Sequence, residues 1–303
     1  MAESIKNIIE KIITDFAKNK VFSNEQQLQF ELAWALKDKL KDEYEVLLEV
    51  LSKEEYDDKK KYIDIVLKKE SDKTFIPIEL KYKTPNKNYT YYSQDGSIIG
   101  KTFNQGAADV GSYLFWKDVE RVENLTNGET GKLVNYNDYK AETGIVIILT
   151  NYSRYWSIGR SKKSALYEDY FPYGGKTKPE QTYGDSYVIQ GKIYVDKTTG
   201  ERSRGNGNND EPCEVLSWLE KHDNKDIEGA INDWKDANFN CSIIRPIYLN
   251  SQYECKWKDY SLSNCQYEDD NGKRLFLDDA PERPWFKYLI LEIPAPPKTN
   301  NEV

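Results

Sequence analysis

The chain opens with two stretches in which apolar residues recur every three or four positions. Ile5, Ile8, Ile9, Ile12, Ile13 and Phe16 form one stripe, and Leu28, Leu32, Leu36 and Leu40 form another within NEQQLQFELAWALKDKL. This period predicts two amphipathic helices, over 3–18 and 24–40, each needing a surface to pack on, with Ser23 placed to cap the second. The pattern then changes. EVLLEVL (45–51), YIDIVLKK (62–69) and FIPIELKYK (75–83) are short, rich in β-branched and aromatic residues, and separated by charged stretches. They predict three consecutive strands in a meander.

A polar, Tyr-rich segment, TPNKNYTYYSQDGSIIG, is expected to be a loop. It leads to a third helix from about Asn104 that carries Val110, Leu114, Val119 and Val122. GIVIILT (144–150) is apolar without interruption, as a strand buried on both faces would be. Residues 165–240 are rich in Tyr, Gly, Asn and charge, and predict one strand pair around SYVIQGKIYVD and a helix around EVLSWLEKH. Apolar strands return at CSIIRPIYL and KYLILEI. The expected organisation is an N-terminal helix plus core over 1–155, an elaboration over 156–240 in contact with substrate, returning strands of the same domain over 241–295, and a frayed tail over 296–303. No internal repeat is visible.

Composition narrows this picture. With 38% apolar and 13% aromatic residues the chain has enough core-forming material to fold despite being 31% charged. No stretch approaches the roughly 20 apolar residues of a membrane span, and the start of the chain is amphipathic rather than signal-like, so a cytoplasmic protein without membrane association is expected. Cys213, Cys241, Cys255 and Cys265 are far apart and contain no CxxC pair, and His222 is the single histidine. Reduced structural cysteines account for them better than a zinc site. The net charge of −8 argues against non-specific coating of nucleic acid, but leaves room for a local basic groove.

One constellation carries chemistry. Asp64 lies in YIDIVL, and fifteen positions later Glu79 stands in PIELKYK with Lys81 two residues on. Strand alternation puts Glu79 and Lys81 on one face and Ile78, Leu80 and Tyr82 on the other. If the two strands are neighbours, Asp64 joins them. Two carboxylates beside an ammonium suit a hard divalent cation, which polarises a phosphate oxygen and lowers the pKa of a bound water. A chance match in a Lys- and Glu-rich chain, displayed as a surface ladder of charges, is the competing explanation. Against it, both halves of the motif sit in apolar runs, where a charge without a purpose is costly.

A helix followed by strands that carry D…ExK in this order resembles the PD-(D/E)XK nuclease superfamily, which includes restriction endonucleases and Holliday-junction resolvases. The resemblance covers about residues 22–155. It implies an α/β fold with a restriction-endonuclease-like αβββαβ core, a mixed central sheet flanked by helices and a C-terminal elaboration. It also implies Asp64 and Glu79 as metal ligands, Lys81 as the catalytic lysine, and magnesium as cofactor with manganese able to substitute. Ile63 stands where many members have proline. Members often add a helix glutamate, for which Glu25 and Glu31 are the candidates. Glu25 falls in the middle of the leucine face and Glu31 at its margin, which favours Glu25, although a first-turn carboxylate also stabilises a helix start. Gln105 corresponds to a glutamine found in some branches, and is equally an ordinary helix-start residue.

NYSRYWSIGRSKK (151–163) interleaves Tyr152, Tyr155 and Trp156 with Arg154, Arg160, Lys162 and Lys163 and contains no acid. Such a segment can stack bases and bind phosphates, or can pack its rings under an insertion with its cations in solvent. The expected activity is therefore metal-dependent hydrolysis of phosphodiester bonds, of DNA by superfamily precedent, by a protein that would gain from being a homodimer if it cut both strands of a duplex. The alternatives are a non-catalytic nucleic-acid or protein-binding module on the same fold, and a hydrolase with paired carboxylates, which more often lacks the adjacent lysine.

Overall fold

Short polar side chains start both N-terminal helices in the computed structural model. Ser4 accepts a hydrogen bond from Asn7 N at the head of α1 (Ile5–Phe16). At α2 (Glu25–Leu40) the cap is Asn24 rather than Ser23: Asn24 Oδ1 accepts from Gln27 N, and Gln27 Oε1 in return accepts from Ser23 N, both at 2.8 Å. Asparagine wins because its carbonyl reaches the first-turn N–H while its own backbone stays extended. The structure describes residues 3–54, 57–85, 87–103, 108–127, 131–152, 155, 253–262, 265–269, 271–277 and 285–295. Between 175 and 251 it describes short segments only.

The chain continues through β1 (Glu45–Glu54), β2 (Asp57–Lys69), β3 (Thr74–Lys83), β4 (Tyr89–Tyr92), β5 (Ile98–Thr102), α3 (Ala108–Asn127), β6 (Gly131–Leu133), β7 (Lys140–Ala141) and β8 (Thr143–Thr150). Next come β9 (Gly175–Lys176), β10 (Gln181–Tyr183), β11 (Ser186–Ile189), β12 (Tyr194–Val195), β13 (Arg202–Ser203), β14 (Ile247–Leu249) and β15 (Glu254–Cys255). The last strands are β16 (Lys258–Tyr260), β17 (Gln266–Glu268), β18 (Arg274–Phe276) and β19 (Phe286–Pro294). Two compact units result, one of Met1–Gly106, Arg121–Ser153 and Lys256–Val303, the other of Ala107–Glu120 and Arg154–Cys255.

The fold is mixed α/β. In the first unit an eight-stranded sheet runs β16-β19-β8-β3-β2-β1-β6, with β7 also on β3. The meander β1-β2-β3 is antiparallel, β8 lies parallel to β3, and β19 is antiparallel to β8. Ile65, Leu67, Ile78, Leu80, Tyr82, Ile145, Ile147 and Leu149 share one buried cluster with Ile9, Ile12, Leu28, Leu32 and Leu36, so α1 and α2 cover one face of the sheet. By alternation Gly144 points to the other face, where a Cβ would come within 2.0 Å of Val122 Cγ1. The C-terminal part of α3 therefore covers that second face, and Leu125 joins Val50, Ile63, Val66 and Phe75 in a second cluster.

Two expectations are corrected. The Tyr-rich stretch after β3 is a hairpin, not a loop: β4 and β5 pair and extend into a four-stranded sheet with β17 and β18. Its turn is made by Gly96, which takes a φ of +84°, beside Asp95, whose carboxylate accepts from Ser97 N. Those hydrogen bonds, first of all that from the Ser93 hydroxyl, hold Asp95 down at about 2. In the second unit the strands around SYVIQGKIYVD do not pair with each other, because β11 pairs with β10 and β14 while β12 pairs with β13. The helix expected around EVLSWLEKH lies outside the described residues. No helix among the described residues is long and apolar enough to cross a membrane.

Gly100 in β5 is fixed by contact. A Cβ there would lie 2.1 Å from the carbonyl oxygen of Val21, in the connection between α1 and α2, whose own N–H donates to Ile99 O. Backbone cannot yield as a side-chain tip can. Gly100→Ala is expected to destabilise the protein by about 1–3 kcal/mol in chemical denaturation, the usual cost of overpacking.

Candidate active site

The register of β2 against β3 runs from Lys69↔Thr74 to Ile65↔Ile78 and ends there. One step further, the same register would set Asp64 opposite Glu79, so the strands part where the candidate residues stand. Backbone groups along an opened edge need partners as much as those inside a ladder. Here side chains supply them. Asp64 Oδ2 accepts from Leu80 N at 2.7 Å, and Glu25 Oε2 accepts from Tyr82 N at 2.8 Å. N–H groups two apart in a strand point the same way, roughly 7 Å apart, so two carboxylates line one edge of β3.

The two acids come from different elements, Asp64 from β2 and Glu25 from α2. Glu25 belongs to α2, which packs on the face of Leu80 and Tyr82. The other face receives Glu79 and Lys81, since their neighbours Ile78, Leu80 and Tyr82 are in the core under α2. Glu79 is buried, and its Oε1 accepts from Arg121 Nη1 of α3 at 2.5 Å. Lys81 is half-buried. Glu31 is elsewhere: its carboxylate pairs with Lys20 Nζ at 2.6 Å. The structure thus brings Asp64, Glu79, Lys81 and Glu25 onto β3 and its edge, and leaves Glu31 on an ion pair outside it.

Three residues of this region had not been singled out in the sequence. Gln29, one turn after Glu25, donates through Nε2 to Glu49 Oε1 and to the backbone oxygen of Asp64, both at 2.7 Å. Glu49 itself has a φ of +50° in the middle of β1. Arg121 is the third. Only Glu49 left a trace in the sequence, as an acid interrupting the apolar run EVLLEVL. Gln105, Arg154, Trp156, Arg160, Lys162 and Lys163 lie outside the described residues. Tyr155 is buried, so its ring belongs to packing rather than to an open stacking platform.

The donor set at β3 is oxygen-rich and suits a hard cation. Among the described residues no three acidic, His or Cys side chains form a ready-made metal cluster. Magnesium does not demand one, because it is commonly held by one or two carboxylates with waters and substrate phosphate completing the shell. Away from β3, burial pushes the Cys255 thiol up to about 12 and raises that of Cys265, which disfavours the thiolate form of both. Compared with protein-family models, with curated proteins and with solved structures, the chain has no match.

In the Glu79–Arg121 pair Glu79 is buried and Arg121 half-buried, with side-chain exposures of 3% and 13%. Removing one member takes a charged hydrogen-bond partner from a carboxylate that has almost no access to water. Arg121→Met is expected to cost about 1.5–3 kcal/mol in urea denaturation, the range for a hydrogen bond to a charged group, and the double variant Glu79→Gln/Arg121→Met is expected to recover most of that loss.

Proposed function

We propose that this protein is a metal-dependent nuclease that hydrolyses phosphodiester bonds, with DNA as its substrate, at a site formed by Asp64, Glu79, Lys81 and Glu25. The observation that carries this reading is the parting of β2 from β3 at Asp64, which sets the D…ExK residues and a helix glutamate around one opened strand edge. With the β4–β5 hairpin and the short β6 and β7 left aside, the element order α2-β1-β2-β3-α3-β8, with β8 parallel to β3, agrees with a restriction-endonuclease-like αβββαβ core.

In this reading Asp64 and Glu79 would hold a magnesium ion. When bound it supplies charge neutralisation at the phosphate and a more acidic water. Lys81, two residues beyond Glu79 on the same face, orients the attacking water and offsets charge as the phosphorane-like transition state forms. Glu25 keeps the β3 edge in place through Tyr82 N and adds negative potential that draws the cation in. Arg121 neutralises Glu79, so the site can stay folded without a metal. Strand scission of a duplex would call for two copies, which makes a homodimer the expected working form.

A second reading is a non-catalytic nucleic-acid or protein-binding module, and the Arg121–Glu79 pair favours it, because an arginine in that place is what a site without metal would keep. The two readings separate on metal. Incubation with plasmid, linear duplex, single-stranded DNA and RNA should give cleavage in magnesium or manganese and none in EDTA. Lys81→Ala should lower the rate by about 10²–10³-fold, the range for loss of one preorganised charge-stabilising donor. Retention of the full rate in Lys81→Ala would remove Lys81 from the site. Absence of both cleavage and manganese binding in calorimetry would select the binding module. Glu25→Gln should lose more rate than Glu31→Gln, because Glu25 meets β3 and Glu31 meets Lys20.

A further inference from the structure

We infer that Gln29 is a positioning residue that holds the Asp64 peptide in the shape the site needs, acting as a two-pronged clip between α2 and strands β1 and β2; this rests on the nuclease reading above. The register of β1 against β2 passes from Leu48↔Ile65 to Val50↔Ile63 and skips the Glu49–Asp64 step. On both strands the inward-outward alternation slips there. Ile65 packs under α1 and α2, whereas Ile63 packs with Val66 on the other face, and on β1 Val50 packs there with Leu47. A regular strand would place residues three apart on opposite faces. The slip coincides with the left-handed backbone of Glu49, at a φ of +50°, a conformation that a residue with a Cβ adopts only when its surroundings enforce it.

Gln29 is what spans this defect. Its side-chain nitrogen donates one hydrogen to the Asp64 carbonyl and the other to Glu49 Oε1, and the residue is 8% exposed. Both partners are pure acceptors, so chemistry fixes which end of the amide faces them: turned over, its oxygen would oppose a carbonyl and a carboxylate. The Asp64 peptide is thereby tied to α2, while the Asp64 carboxylate is tied to Leu80 N. Glu49 is the anchor of the clip rather than a ligand. A residue that fixes a reacting group's backbone without touching substrate acts on rate more than on affinity.

The test uses the full-length protein with Gln29→Met, which keeps side-chain volume and loses both donors, and Gln29→Lys, which restores donors. The Leu80 amide resonance, assigned by NMR, reports the Asp64 carboxylate contact. It should move away from its wild-type position in Gln29→Met and return toward it in Gln29→Lys. In cleavage assays Gln29→Met should lose roughly 10–100-fold in kcat per folded molecule with KM changed little, and Gln29→Lys should recover most of that. A Leu80 resonance unmoved by Gln29→Met overturns the proposal, whether or not the protein cuts. Wild-type kcat per folded molecule in Gln29→Met, with only the melting transition lowered, also overturns it and leaves the nuclease standing. A moved Leu80 resonance in a protein that cuts nothing and binds no manganese supports the clip and discards the nuclease.

Discussion

Everything at this site follows from one requirement, that the backbone of β3 be satisfied after β2 leaves it. A ladder that simply stopped would expose N–H groups inside a packed unit, at a cost of about 1–3 kcal/mol each. The chain answers with carboxylates rather than with another strand. Asp64 and Glu25 take Leu80 N and Tyr82 N, and an acceptor that is ionised makes the stronger bond. The same choice concentrates negative charge along one edge. A structural repair and an attraction for cations are thus one arrangement of atoms, and neither can be changed without the other.

Burial then decides how that charge is managed. Glu79 is nearly inaccessible, and a lone carboxylate in such a place would shed its charge or unfold its surroundings. Arg121 prevents both. A buried pair of this kind adds little net stability over an apolar pair of the same volume, because each ion gave up its hydration. With the chain at a net −8, the overall field repels a polyanion, so any attraction for one would rest on local features such as Lys81.

Much of this was legible in the sequence because it rests on period. Helical spacing located α1 and α2, and the two-residue alternation of FIPIELKYK correctly separates Ile78, Leu80 and Tyr82 in the core from Glu79 and Lys81. What escaped has physical reasons. YTYY and IIGKT alternate poorly, so the β4–β5 hairpin looked like loop; it is held by a turn and by β17, which lies about 175 residues away in the chain. Gln29 resembled any polar residue on a helix, since its partners are 20 and 35 positions distant. Arg121 likewise depends on a residue 42 positions before it. Local pattern reveals which face a residue occupies, but not which distant atom it will meet.

The position of α2 joins these parts. Glu25 and Gln29 are four apart, on one side of the helix, and lie next to Leu28 and Leu32, which are wholly buried under the sheet. The leucines set the height and rotation of the helix over β2 and β3. That setting in turn places one carboxylate at Tyr82 N and one amide at the Asp64 carbonyl. A helix that slid by a single residue, about 1.5 Å, would miss both hydrogen bonds. The geometry of the opened edge is therefore fixed by ordinary apolar packing on the far side of the sheet, and the precision of the polar site is inherited from the core beneath it.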